Sequence, residues 1–319
     1  MSPALDRREL LGAAGATLAA PRPAEGEEIA LWPDGPPGGA PAGLEERWVE
    51  RSRRPDRLDR AVAGVTRPRV VAFPAPRPDG RALLVVPGGG YVRQAYDHEG
   101  AAVARRLAAA GMSAYVLLHR LPGEGWAAGA LAPLQDAQRA LRLVRARAAA
   151  DRFDPARLGV LGFSAGGHVA GRLATTPEPA YPPVDAADAA PVTPAFAALM
   201  YPVATLAPQF AHAGSRRALL GAAPDPAAEA RESLARRVTA GTPPTFLVHA
   251  ADDRSVPVEN SLELHAALRR ARVPAELHLL ERGGHGFGLD LPADAPGALW
   301  PDLLLRWSAR PPPRPETAA

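Results

Sequence analysis

The amino-acid sequence predicts an α/β fold in which a mostly parallel central sheet carries helices on both faces. Three observations carry that expectation. Short apolar runs alternate with longer segments of helical spacing. Most of the runs are unbroken by polar residues, which suits strands covered on both sides. One of them, Leu158-Gly159-Val160-Leu161, leads straight into Gly162-Phe163-Ser164-Ala165-Gly166, a serine flanked by glycines where a buried strand turns sharply into a helix.

In chain order, strands are expected at Arg69 to Phe73, Ala82 to Val86, Ala114 to Leu118, Leu158 to Leu161, Ala197 to Tyr201, Thr245 to His249 and Ala275 to Leu280. The last of these alternates through Glu276 and His278, as a half-exposed strand near a sheet edge would. A helix is expected over Gly100 to Ala110 with Asp97 as its N-cap. Leu134, Ala137, Leu141 and Val144 recur on one helical face, and Leu262, His265, Leu268 and Ala271 on another. Pro21 to Pro41 and Pro177 to Pro194 read as loops, the second a candidate lid over the pocket. At the N-terminus, Arg7-Arg8 precedes a mild apolar run from Gly12 to Ala20, like a Tat-type export signal. The organisation expected is thus a leader over 1–27, one catalytic domain over 28–309 and a Pro/Arg tail over 310–319.

Composition removes several chemistries. Among 319 residues there is no cysteine and no lysine, so disulfides, thiolate metal sites, Schiff-base chemistry, a P-loop lysine and a Ser-Lys hydrolase mechanism are all excluded. The net charge is only +3 and the arginines are interleaved with acids, which argues against a nucleic-acid surface. No run approaches the roughly 18 apolar residues of a membrane span. His98-Glu99 lacks a second histidine at metalloprotease spacing, so a metal is not expected there.

What remains is nucleophilic catalysis by Ser164. A serine hydroxyl needs a base within hydrogen-bond reach and a third group to orient that base. His285, in the glycine-rich run Arg282 to Gly288 after the last strand, is the candidate base. In α/β-hydrolases the acid lies between serine and histidine in the chain. Asp252 and Asp253 both follow the strand ending at His249, and Asp253 is preferred from its D-x-x-V-P register. The oxyanion of acyl transfer needs N–H donors, and Pro87-Gly88-Gly89-Gly90-Tyr91 follows a strand where this fold places them. Gly89, Gly90 and Ala165 are the candidate donors; Tyr91, His119 and His212 are candidate pocket residues. His168 and Asp136 are expected to support loops.

With these residues in place the chain resembles the bacterial acetyl esterase and xylan esterase group of the α/β-hydrolase superfamily, related to hormone-sensitive-lipase-like carboxylesterases. The likeness runs from about Leu31-Trp32-Pro33 to Leu289 and includes Pro87 to Tyr91, Asp97-His98-Glu99-Gly100, Ala132 to Ala137, Gly162 to His168 and His249 to Ser261. It implies a cofactor-free serine esterase acting on short acyl esters, acetyl on a carbohydrate such as xylan fragments above all. His119-Arg120 stands where relatives carry Tyr-Arg, and Ala130-Leu131 where they carry His-Pro, both near pocket-shaping loops. Two other readings share these features: a serine peptidase of the prolyl-oligopeptidase type, though the chain has no room for a large gating domain, and a non-catalytic hydrolase-fold binding protein. An ester small molecule or oligosaccharide is the expected partner.

Overall fold

The computed structural model describes residues 26–309. The expected leader, apart from its last two residues, and the Pro/Arg tail lie outside the described residues. An eight-stranded sheet has the order β1-β4-β6-β5-β7-β8-β9-β10. Its strands are β1 (Glu27–Ala30), β4 (Arg69–Phe73), β5 (Ala82–Val86), β6 (Ser113–Leu118), β7 (Leu158–Phe163), β8 (Ala197–Met200), β9 (Thr245–Ala250) and β10 (Ala275–Leu280). β1 and β4 are joined to their neighbours antiparallel, and from β6 to β10 every pairing is parallel. A separate hairpin pairs β2 (Arg47–Glu50) with β3 (Arg60–Ala63). β10 is an edge strand, as its Glu276/His278 alternation requires.

Alternate side chains of each strand feed two cores. Val70, Ala72, Leu84, Val86, Tyr115, Leu117, Val160 and Leu199 face one way. They meet α2 (Ala132–Ala146), α3 (Ser164–Ala174) and α6 (Glu259–Arg270). Val71, Leu83, Val85, Ala114, Val116, Leu161, Phe163 and Met200 face the other way, onto α1 (Ala102–Ala109) and α7 (Trp300–Ala309). Strands sandwiched in this manner must be apolar throughout, which is why their sequences read as continuous runs. On α6 the buried face is Asn260, Ser261, Leu264, Ala267 and Leu268, and Leu262 is exposed, so the stripe through Leu262 is corrected by about one position.

Three further expectations are corrected. The stretch Pro21 to Pro41, expected as a loop, carries β1 at Glu27–Ala30. Residues 177–194 are not a lid. They join the end of α3 to the start of β8, which puts them at the N-terminal edge of the parallel strands, opposite Ser164. There α2 holds them: Gln138 donates to Glu178 O (2.9 Å), Gln135 to Ala180 O (3.0 Å) and Arg142 to Ala190 O (2.7 Å), while Arg139 pairs with Asp188 at 3.0 Å. Nor does Asp97 cap a helix. Its buried carboxylate takes the Arg60 guanidinium (Nε 2.8 Å, Nη2 2.9 Å) and the Arg60 N–H (2.7 Å), tying β3 to the π-helical turn Tyr96–Ala101 that leads into α1. A buried carboxylate is better satisfied by a guanidinium fork than by free amides at a helix end.

Candidate active site

The site forms at the C-terminal ends of β5, β7, β9 and β10. β5 lies beside β7, with Val86 opposite Gly162, so the loop after β5 abuts the turn after β7. That turn is strained: Ser164 has φ 51°, a left-handed conformation rare for a side-chain-bearing residue and of the kind held at functional sites. Close backbone approach makes it possible. A Cβ on Gly162 would lie 2.3 Å from Gly166 O, and one on Gly166 only 2.2 Å from Val86 O and 2.4 Å from Pro87 O. The flanking glycines are therefore steric necessities of this elbow.

The structure brings Ser164, His285 and Asp253 together. Ser164 Oγ is 2.8 Å from His285 Nε2, and His285 Nδ1 is 2.6 Å from Asp253 Oδ2. A carboxylate only accepts, so Nδ1 carries the imidazole proton and Nε2 is left to accept from the serine hydroxyl. Asp253 Oδ1 takes the N–H groups of Ser255 (2.8 Å) and Val256 (2.9 Å), and buried His249 faces Oδ2 at 3.3 Å. Burial alone pushes this carboxyl up, but the hydrogen bonds from His249 and His285, the charge of His285 and the Val256 amide outweigh it. The net effect holds Asp253 far below the usual carboxylate range, ionised beside its histidine. Asp252 has a different place: its Oδ1 accepts from Gly283 N (2.9 Å) and Gly284 N (2.8 Å), clamping the backbone that carries His285.

β10 is three strands from β7, roughly 14 Å at ordinary strand spacing, so the His285 loop must reach back across the sheet. Several groups hold it there. His98 Nε2 meets Gly286 O at 2.7 Å, Gly288 N–H donates to Tyr201 Oη at 3.0 Å, and the Tyr201 ring packs edge-on to His285 with centroids 5.0 Å apart. Tyr201 O–H in turn donates to Glu99 Oε1 (2.8 Å), and Glu99 Oε2 accepts Gly88 N–H (2.8 Å). Glu99, only 4% exposed, thus joins the loop after β5 to the histidine loop. The sequence reading passed over this role of Glu99 and Tyr201. The motif Asp97-His98-Glu99-Gly100 was the one signal pointing to it.

Two of the three candidate donors are on the loop that abuts the Ser164 turn, and the third directly follows Ser164. Gly88 packs so close that a Cβ there would sit 2.9 Å from Ser164 Cβ, and Gly89 and Gly90 follow with φ 138° and 68°. The amides of Gly89, Gly90 and Ala165 donate to no protein acceptor among the described residues. Ala165 is in the first turn of α3, where N–H groups have no partner within the helix.

The three pocket candidates separate. Tyr91 is buried with φ 63°, its hydroxyl 2.7 Å from His168 Nδ1, so it buttresses the loop from behind. His168 meets Glu232 O through Nε2 (2.7 Å), and burial, aided by Arg172, pushes its imidazole down to about 3. His119 is buried as well, its Nδ1 donating to Arg120 O at 2.8 Å. Next to it Arg120 pairs with Asp136 (2.8 Å) and lies over the Trp32 and Trp126 rings, holding the loop after β6. His212 alone stands at the site. Its Cε1 would lie 3.7 Å from a Cβ on Gly90, and it is partly exposed.

Comparison with known proteins agrees with this architecture. The model of the BD-FAE family matches residues 74–268. An acetylxylan esterase from Xylanibacter ruminicola is 33% identical over 224 residues, which are 69% of this chain and 44% of that protein. Endo-1,4-beta-xylanase B from Butyrivibrio fibrisolvens is 36% identical over 64% of this chain and 32% of its own length. The chain therefore aligns with less than half the length of these curated relatives. Among solved structures, an acetyl ester-xyloside bifunctional hydrolase from Caldicellulosiruptor lactoaceticus superposes with a TM-score of 0.71 at 36% identity, covering 89% of this chain and 95% of that one. An α/β hydrolase from a deep-sea metagenome superposes at 0.56 with 27% identity, covering 76% and 91%. The family match takes in the loop after β5, the Ser164 elbow and Asp253, and spans more than half of the 319 residues: the chain belongs to the BD-FAE family.

Proposed function

We propose that this protein is a serine carboxylesterase that removes acetyl groups from carbohydrate, xylan fragments being the leading substrate. The observation that carries the reading is the Ser164–His285–Asp253 relay, at 2.8 and 2.6 Å, beside three amides that donate to no protein acceptor among the described residues. The names of the xylan-directed relatives support the substrate class.

In this reading His285 Nε2 takes the proton of Ser164 as its Oγ attacks the ester carbonyl. The carbonyl oxygen, now an oxyanion, receives the N–H groups of Gly89, Gly90 and Ala165; loss of one such donor typically costs ~10²- to 10³-fold in rate. Asp253 stabilises the imidazolium, which then protonates the leaving alcohol. Water, activated by the same histidine, attacks the acyl-enzyme, and Ser164 leaves with its proton restored. Export through the Arg7-Arg8 leader belongs to the same proposal, and cell fractionation of the full chain tests it.

The test is acetate release from acetylated xylo-oligosaccharides, beside a series of p-nitrophenyl esters of increasing chain length. Acetate release that disappears in Ser164→Ala, with rates falling as the acyl chain lengthens, is the expected result. Amide substrates hydrolysed as fast as esters, or a flat response to acyl length, would overturn it.

A further inference from the structure

His212 borders the candidate donor loop but takes no part in the relay, and its geometry fixes what it offers. It sits just before α4 (Ala213–Leu220), where its Nδ1 accepts the Ser215 N–H at 3.1 Å and lies 2.8 Å from Ser215 Oγ. Ser215 is wholly buried, so this anchor is rigid. A nitrogen that accepts from a backbone amide has no proton of its own, so a neutral ring must carry its proton on Nε2. Nε2 has no protein partner among the described residues. Burial, then the positive charge of nearby His285, pushes the His212 imidazole below its ordinary value, and Asp253 only partly offsets this. The ring is therefore neutral at and above neutral pH, presenting a single N–H donor.

Its position says what would meet that donor. The ring edge borders Gly90, one of the free amides, and the ring feels the charge of His285. The leaving oxygen of an ester bound to Ser164 must lie toward His285, which has to protonate it. A group beside Gly90 and within electrostatic reach of His285 borders the alcohol part of the substrate. We infer that His212 is a specificity-determining residue whose Nε2–H donates to an oxygen on the carbon adjacent to the esterified one, so that the enzyme selects monoesters of vicinal diols, as in a partly acetylated sugar. This rests on the esterase reading above and adds the residue that reads the neighbouring hydroxyl.

The experiment compares trans-2-hydroxycyclohexyl acetate, cyclohexyl acetate and p-nitrophenyl acetate as substrates of the full chain and of His212→Asn. Asparagine is a good N-cap and can still take the Ser215 N–H, so α4 is kept while the distal donor is withdrawn. His212→Phe serves as a second variant that keeps the ring volume without any donor. The expected result is a wild-type preference in kcat/KM for the hydroxy ester over cyclohexyl acetate. Both variants should reduce that preference about 2- to 13-fold, the worth of one neutral hydrogen bond, with p-nitrophenyl acetate serving as the common reference for overall activity. Equal losses on the two cyclohexyl esters, or a wild type that does not discriminate between them, would overturn the inference while leaving the esterase reading intact. Inactivity of the wild type toward all three esters would instead remove the esterase reading, and this inference with it.

Discussion

Asp253→Asn should cripple catalysis without unfolding the protein, because the surroundings dictate which way the new amide turns. Asp253 Oδ1 takes two backbone donors, from Ser255 and Val256, at 2.8 and 2.9 Å. An asparagine must keep its carbonyl oxygen there, since turning the amide nitrogen inward would face donors with donors. Its nitrogen then lies opposite His285 Nδ1, where Asp253 Oδ2 stood at 2.6 Å. An amide N–H donates, so His285 is forced to accept at Nδ1 and hold its proton on Nε2, the nitrogen 2.8 Å from Ser164 Oγ. The base arrives already protonated. Wrong-tautomer substitutions of this type cost about 10⁴-fold in kcat. His249 keeps its Nε2–H on Val256 O at 3.0 Å, so the surrounding loop keeps its own hydrogen bonds. The assay is kcat for p-nitrophenyl acetate beside thermal melting of the same preparation. Asp252→Asn is the internal control: its carbonyl can still take the Gly283 and Gly284 amides, so its kcat should fall less than about tenfold. A kcat for Asp253→Asn within tenfold of wild type, or a larger loss at Asp252, would refute the reasoning.

Other perturbations test the supports of the site. Glu99→Gln offers an amide donor where Gly88 N–H or Tyr201 O–H needs an acceptor, so kcat should fall about 10- to 100-fold with KM changed less than about threefold; a raised KM with kcat unchanged would assign Glu99 a purely binding role. Tyr201→Phe frees Gly288 N–H and should show a smaller loss in the same parameter, read in the same assay. Gly166→Ala, whose Cβ would sit 2.2 Å from Val86 O, should lower stability by about 1–3 kcal/mol and abolish turnover; a melting temperature equal to wild type would contradict the close approach. His168 supplies a pH test. Its native imidazole is pushed down to about 3, whereas in the unfolded chain it titrates near 6.5, so the unfolded state binds the proton first and stability falls as pH drops through that window. Between pH 7 and pH 5 this amounts to about 2 kcal/mol, which His168→Gln should remove from the difference between denaturation curves at the two pH values.

How much of this was legible in the chain follows from physics that can be traced residue by residue. β5 to β9 announce themselves as nearly unbroken apolar runs because both their faces are covered, and β10 by the alternation of an edge strand. β1, β2 and β3 stayed hidden: they are four residues each, and charged residues break the apolar pattern, Glu27, Glu28 and Arg60 being taken up by ion pairs with Arg147, Arg69 and Asp97 rather than by core. The elbow was readable since glycine is demanded on both sides of Ser164, and the loops bearing Asp253 and His285 since each directly follows an apolar strand. The Pro177 to Pro194 segment shows the opposite case. Its composition says loop, but which end of the sheet it occupies depends on α3 running back antiparallel to β7, a fact of three-dimensional connection. Glu99 escaped for a related reason: its two oxygens link Gly88 with Tyr201, 11 and 102 residues away, and no local pattern encodes such a bridge.

The central claim is that Ser164 becomes acylated by substrate, with His285 as its base. The most direct measurement is peptide mapping by mass spectrometry after treatment with a fluorophosphonate and, separately, after acid quench during turnover of p-nitrophenyl acetate. One phosphonyl group and one acetyl group, both on the peptide carrying Ser164 and both lost in His285→Ala, is the outcome expected. Full esterase activity surviving stoichiometric treatment, or an adduct on any other side chain, would contradict the account.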